Sequence, residues 1–469
     1  MMAFGNDLDG GMSERLLEEG ESRNRTDPNQ TIGEYELVED RETLVFEDDF
    51  YLKQQRGKRS GCIQAFLVET IQPGSGSMFT MTVAIVGAGI LALPYAVQQT
   101  GLVLGILLIV EGAIATTFSL RILLECLNLG QARSYMDLAL ATGGHKLAAF
   151  TQLVVCMNLF GTCVGYLTGS AELIQYAFET VLKSSSETLL LNRQALILML
   201  TGLLVLPLSL LRSLDSLRFS SLFSIVCIVF MTLVIVIKYF QFVHEELAPT
   251  MAYQLKHLPL FDWRLSHILR AVPLVVFSFT CHPNIPPIYL VLKRRSKRRM
   301  HKVMNRSIGL ATTIYSLCGF FVVLTFGEAT RSNFLKNDYH GDGAVIVGSL
   351  GFSIALILTV PLFVHTLRDN IREALLANCR LDVVWHVTLS MLLVVAVLVV
   401  ALASKDITSV LGFLGATTNP TICFVLPAYF IGRLGGQQYR IFQIVASILA
   451  VVMTVASALS LLQQMKFIF

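Results

Sequence analysis

Pro273-Leu-Val-Val-Phe277-Ser-Phe279-Thr280-Cys281-His282-Pro283-Asn284-Ile285-Pro286-Pro287 stands inside an apolar run long enough to cross a bilayer. Proline removes a backbone donor and clashes with the preceding turn, so this run cannot be one continuous helix. An earlier run is interrupted too, by Val86-Gly87-Ala88-Gly89-Ile90 and then Pro94. Glycine there loosens the helix. Counted along the chain, the two interrupted runs are crossings 1 and 6, and they traverse in opposite directions. An inverted 5+5 repeat requires this arrangement, because its broken helices expose half-helix ends near the midplane, where substrate and ion bind.

The rest of the sequence places these two runs in a membrane bundle. Of 469 residues, 54% are hydrophobic and 15% charged, against about 25% charged in a soluble protein. Charge gathers in the first sixty residues and in short segments between apolar runs. Eleven such runs are expected, near Phe79–Val97, Leu102–Leu124, Leu147–Ile174, Ala195–Leu211, Phe219–Phe240, Ile268–Leu292, Ile308–Phe326, Ala344–Val364, Val383–Ala403, Val410–Ile431 and Phe442–Leu462. We number them spans 1 to 11. They are helices, because lipid cannot satisfy loose backbone groups and a barrel would show short alternating segments. The fold class is therefore an all-α membrane protein, a transporter domain over 75–469 preceded by a disordered cytosolic tail over 1–70, polar and rich in Glu, Asp and Arg.

Basic residues orient the chain. Lys293 to Lys302 after span 6, Arg121, Arg133 and Lys146 after span 2, Arg212 and Arg218 after span 4, Arg368, Arg372 and Arg380 after span 8, and Arg433 and Arg440 after span 10 fall on one side. The opposite loops hold fewer, among them Lys183, Arg193, Arg331, Lys336 and Lys405. The N-terminus is then cytosolic and the C-terminus outside or lumenal. The sequons at Asn24, Asn29 and Asn305 would face the cytosol. The nine cysteines include no C-x-x-C pair, and neither a zinc site nor a redox centre is expected. No HExxH, nucleophile elbow or kinase-type loop occurs, which excludes the common enzyme classes. The span count excludes a seven-helix receptor.

The breaks suggest a guest. Free N–H groups at Gly87, Ala88, Gly89 and Ile90, with the helix dipole, suit a carboxylate. Carbonyls freed near Phe279, Thr280 and Cys281 suit an α-amino group or a cation. A zwitterion needs both, so a free amino acid is the natural substrate. Gly-x-Gly also serves plain tight helix packing. Two ionisable residues are proton-coupling candidates. Glu111 stands in mid-span 2, where an acid is expensive and burial would raise its pKa, although bracing the bundle is the plainer role. His282 stands in the span 6 break, to line the site, sense pH or cap freed backbone. Asn158 and Thr162 in span 3 either face the pore or join helices. Tyr35-Glu-Leu-Val38 fits a tyrosine-based sorting pattern.

Span 6 and its loop, Val276-Phe-Ser-Phe-Thr-Cys-His282-Pro283-Asn-Ile-Pro-Pro287-Ile288-Tyr289 on to Asn305, closely resemble the sodium-coupled neutral amino acid transporter branch of the amino acid/auxin permease family. Ala84 to Tyr95 in span 1, Ser134-Tyr135-Met-Asp-Leu138 and Leu358-Thr359-Val360-Pro361 resemble it too, and the likeness runs from about residue 75 to the end. It implies a bacterial leucine-transporter-like fold and secondary-active transport, often of neutral amino acids such as glutamine. Sodium-dependent members carry a span 1 asparagine and a span 8 threonine as Na⁺ ligands. Here the threonine is Thr359, but the asparagine position holds Val83, leaving only carbonyls near Val83 and Val86 beside it. We therefore expect weak sodium dependence or proton coupling, no cofactor beyond Na⁺ or H⁺, no metal site beyond Na⁺, and no nucleic-acid partner. The residence is a plasma, endosomal, lysosomal or vacuolar membrane. The alternative is an amino-acid sensor signalling through its N-terminal tail. The oligomeric state is not legible.

Overall fold

The computed structural model describes residues 75–182, 192–211, 220–246, 250–292, 295–375 and 383–466. The tail, the Tyr35 pattern, the sequons at Asn24 and Asn29, and Lys183, Arg212, Arg218, Lys293 and Arg380 lie outside them. Among the described residues every regular element is helical. Ten helices among the described residues are long and apolar enough to cross a membrane. Span 1 is not among them because it is two short helices, α1 (Ser75–Ile85) and α2 (Leu93–Thr100), joined by a 3-10 turn over Ala88–Leu91. We call the face where α1 begins proximal and the face where α2 ends distal.

The remaining helices follow in order. They are α3 (Leu102–Leu129), α4 (Tyr135–Leu182), α5 (Arg193–Leu200), α6 (Leu206–Leu210), α7 (Ser220–His244), α8 (Met251–His257), α9 (Leu265–Ser278), α10 (Ile285–Val291), α11 (Lys297–Phe326), α12 (Gly343–Leu375), α13 (Val383–Ala403), α14 (Ile407–Ala416), α15 (Leu426–Leu434) and α16 (Arg440–Lys466). Spans 1, 2, 6 and 7 pack together through α1, α2, α3, α9 and α11, and spans 3, 4, 8 and 9 through α4, α5, α6, α12 and α13. Span 5 (α7) leans on α11 and α12, and α14 lies against both α9 and α4.

Three expectations are corrected. Span 3 runs on past Ile174 to Leu182, and α4 is two helical stretches: the first begins at Tyr135 and ends at a kink at Gly144, whose φ of 66° and ψ of −164° only glycine adopts easily. Span 4 is a helix interrupted by a π-turn over Thr201–Val205. Span 10 is not one helix over Val410–Ile431. It stops at Thr417 (φ −121°, ψ −84°), makes a single turn at Thr418–Pro420, and passes through a π-turn at Thr421–Val425.

The cause in span 10 is local. In π register the Ile422 carbonyl would pair with residue 427, and in α register the Cys423 carbonyl would do so. Residue 427 is proline and has no N–H. Both carbonyls are taken by side chains from elsewhere: Tyr135 OH donates to Ile422 O at 2.5 Å, and Ser119 Oγ donates to Cys423 O. Buried acceptors are thus satisfied, and span 10 is pinned to α3 and the start of α4.

Small residues set the spacing of α4 and α14. Gly161, Gly165 and Gly169 form a row along α4, one turn apart. Leu414, Leu411 and Ile407 of α14 seat on them in that order, antiparallel. Close approach of this kind is how membrane helices gain packing energy without a hydrophobic drive.

Candidate functional site

The two chain breaks meet at one hydroxyl. Tyr315, buried on α11, directs its OH to Ile85 O, the last carbonyl of α1, and to Ser278 O, the last of α9, at 2.9 Å each. The two helix C-termini are therefore within about 6 Å of each other. Carbonyl ends carry the negative pole of a helix dipole, so this junction favours a cation. Tyr315 also stands edge-on to Phe279, with centroids 5.3 Å apart.

The other face of the junction is made by the turn at Ala88–Leu91. Gly87 breaks the helix with ψ −143°, Ile90 N–H bonds back to Gly87 O at 3.4 Å, and Ala88 N–H reaches Tyr166 OH at 3.4 Å. Tyr166, on α4, thus stands where the sequence placed a ligand carboxylate. Its ring meets Phe363 of α12 edge-on at 5.4 Å. A side chain at Gly87 would strike the Tyr166 hydroxyl, and one at Gly89 would come within 2.8 Å of Ser278 Cα. Both glycines therefore serve close approach between protein segments. Ala88, Gly89 and Ile90 are buried, and Gly87 is half-buried.

In span 6, α9 ends at Ser278, and residues 279–281 are non-helical before a 3-10 turn at His282–Asn284 and α10. Pro286 and Pro287 fall in the first turn of α10, where a missing N–H costs nothing. Thr280 Oγ1 donates to Val276 O (2.8 Å) and lies 3.4 Å from Cys423 Sγ, so the span 6 and span 10 breaks are in contact. Cys281 is buried. His282 makes no side-chain cap; its Nε2 lies 3.1 Å from Ser119 Oγ, while Nδ1 is buried with no partner. Asn158 joins α4 to Thr418 Oγ1 (2.9 Å) and to Asn419 Oδ1, and Asn419 Nδ2 is left buried and unpaired. Thr162 bonds back to Asn158 O at 2.8 Å.

The ion-ligand candidates are less closely gathered. Val86 is buried beside the break and Val83 half-buried one turn earlier. Thr359 Oγ1 donates to Ala355 O at 2.7 Å, its ordinary helical bond, and keeps its lone pairs. It lies one turn from Phe363, which touches Tyr166. Glu111 is the correction here. It is exposed, on an outer stripe with Leu107, Val110 and Ile114, while Gly112 faces inward to Val275 and Phe279. The burial on which its proton role was argued is absent, because hydropathy finds a span without telling which face a residue takes.

Sequence reasoning missed Tyr315, Tyr166 and Asn419. A lone tyrosine in an apolar helix carries no signal, whereas Asn419-Pro420 followed by Pro427 inside span 10 was a readable interruption.

The family described as transmembrane amino acid transporter protein matches residues 74–467. The sodium-coupled neutral amino acid symporter 2 of Danio rerio is 31% identical over 386 residues, covering 77% of this chain and 76% of that one. Among solved structures, MhsT in complex with L-phenylalanine superposes with a TM-score of 0.58 at 14% identity, covering 84% of this chain and 99% of that one. The Eremococcus coleocola manganese transporter, in complex with an aromatic bis-isothiourea substituted compound, gives 0.51 at 15% identity over 84% and 86%. These two likenesses show the fold, the bacterial leucine-transporter-like architecture with broken spans 1 and 6.

Proposed function

The chain belongs to the transmembrane amino acid transporter family, and from that membership we propose that it carries free neutral amino acids, glutamine among them, held at the two chain breaks. It is a multi-pass membrane transporter and not an enzyme. The observation that carries the substrate reading is the convergence of Ile85 O and Ser278 O on Tyr315 OH at 2.9 Å each. Carbonyl ends on one side of this junction suit the α-ammonium group. The turn at Ala88–Leu91, with Tyr166 OH as an exchangeable acceptor, suits the carboxylate. An α-amino acid bears both charges on one carbon and spans the two.

Coupling to Na⁺ is weak in this reading. Val83 supplies no side-chain oxygen, and Na⁺ would rest on backbone carbonyls near Val83 and Val86 with Thr359 Oγ1. In this reading the proximal face and the N-terminal tail are cytosolic, which the distribution of basic residues supports. The test is uptake of a labelled amino-acid panel by the purified chain in proteoliposomes, under separate Na⁺ and pH gradients. Gradient-driven accumulation of neutral amino acids is expected, with little response to Na⁺ alone. Strictly Na⁺-dependent uptake that Thr359→Ala abolishes would overturn the weak-sodium reading. Specific binding without flux, in folded protein, would replace the carrier by a sensor.

A further inference from the structure

Glu172 lies on α4, away from the chain breaks, and is 2% exposed. One carboxylate oxygen accepts the backbone N–H of Ile407, the first residue of α14, at 2.9 Å, and the other faces Asn333 Nδ2 at 3.4 Å. Lys336 and Asp406 are the charged groups facing it. Arg193, from the start of α5, is engaged by Ser404 O at 2.9 Å. One turn further along α4, Tyr176 OH donates to Asn337 O at 2.7 Å, so the distal loop that holds Asn333 is fastened to the same helix.

Both direct partners of Glu172 are donors. An ionised carboxylate is an acceptor only and satisfies them; a protonated one gains an O–H of its own. Protonation therefore takes the charge assistance from both bonds and sets an O–H against the donor on one oxygen, leaving the other oxygen at best a weaker, neutral acceptor. Beneath this tie, α14 rests on the glycine row of α4 through Ile407, Leu411 and Leu414, contacts with no directional bond, while Thr408 Oγ1 donates to Ser332 O at 2.8 Å, a bond to the distal loop and not to α4. At its other end Gly415 packs on the Pro273 backbone of α9, where even one added carbon would come to 2.5 Å of Pro273 C. Movement of α14 is thus transmitted to the span 6 break.

We propose that Glu172 is the proton-binding residue of the transport cycle. Ionised, it holds the start of α14 on α4 and keeps the distal face closed. Protonated, it frees α14 and lets that face open. This rests on the carrier reading above. The ligand of the site is a proton.

The test uses the full chain in proteoliposomes, as wild type and E172Q, with the labelled neutral amino acid that the wild type exchanges fastest and a trapped pH dye. E172Q is expected to keep counterflow exchange while accumulation driven by an inward proton gradient, and the dye signal, fall by about tenfold or more. Accumulation by E172Q equal to wild type, or wild-type uptake driven by Na⁺ with no dye signal, overturns the proposal. A wild type that exchanges no amino acid of the panel overturns the carrier reading itself, and this proposal with it. Should E172Q fail to fold, hydrogen exchange in the wild type decides: residues 404–411 exchange faster at about pH 5 than at about pH 8, after correction for intrinsic rates. Equal protection at both refutes the assignment.

Discussion

A single hydroxyl, that of Tyr315, holds the ends of α1 and α9 together. Replacing it by phenylalanine keeps the ring against Phe279 but takes the donor from the buried Ser278 carbonyl, while Ile85 O keeps the Gly87 N–H at 3.0 Å. Leaving a buried polar group unsatisfied costs about 1–3 kcal/mol. Tyr315→Phe should therefore lower the thermal midpoint of the purified protein and slow uptake more than a surface substitution on α11, both measured on the same preparation. The residue was invisible in the sequence because its partners, Ile85 and Ser278, are backbone groups far along the chain. Glu111 was visible and misread, because its exposure depends on which neighbours α3 finds.

Elements were more legible than residues. The breaks in spans 1 and 6 are written in glycine and proline, whose effects are local, and the structure places them where the sequence does. Span 10 was read as continuous because its hydropathy is uninterrupted; Thr417, Asn419 and Pro427 act through hydrogen-bond register, which hydropathy ignores. The glycine row at 161, 165 and 169 was likewise readable from its four-residue spacing. Its chemistry separates two substitutions of one kind. In Gly165→Ala the new carbon comes to 3.1 Å of Leu411 Cδ2, the end of a flexible side chain. Yielding there is cheap, and the change is offset by the ~1 kcal/mol that alanine gains over glycine in a helix. In Gly415→Ala the obstacle is the Pro273 backbone, at 2.5 Å. Overpacking of that sort costs about 1–3 kcal/mol. Thermal unfolding should show Gly165→Ala near wild type and Gly415→Ala clearly destabilised; the reverse order would contradict the packing described.

For the whole molecule the distal face matters most, since two fastenings of different chemistry lie on it. The segment between α8 and α9 caps the start of α3, with Leu102 N–H on Pro259 O and Val103 N–H on Leu260 O at 3.0 Å each. It is clamped by Asp262, which binds Arg264 (2.6 Å) and His267 (2.9 Å). The Arg264 guanidinium holds the Asp262 carboxyl well below the usual carboxylate range. A carboxyl depressed in the folded state stabilises above its unfolded pKa of about 3.9, and that contribution is lost only as pH falls toward the lower folded value. Between about pH 8 and about pH 5 this clamp should therefore stay shut. Hydrogen exchange over residues 258–264 should be unchanged across that interval, whereas residues 404–411 loosen. Loosening of both together would mean that the face opens as one body and that Glu172 is not its trigger.

The glycine row has a mechanical consequence. Its seats repeat every four residues, about 6 Å along a helix. A periodic track offers the observed knobs, Ile407, Leu411 and Leu414, a second register one seat along, which would set Leu411 over Gly161 and Ile407 over Gly165, with positions between seats pressing side chains against ridges. In the unlatching proposed above, α14 would travel in a step of fixed length and not by gradual drift, as elements do when they ratchet past one another by a turn. The stroke of that step would be set by the pitch of an α-helix, and its stopping points by where three glycines fall.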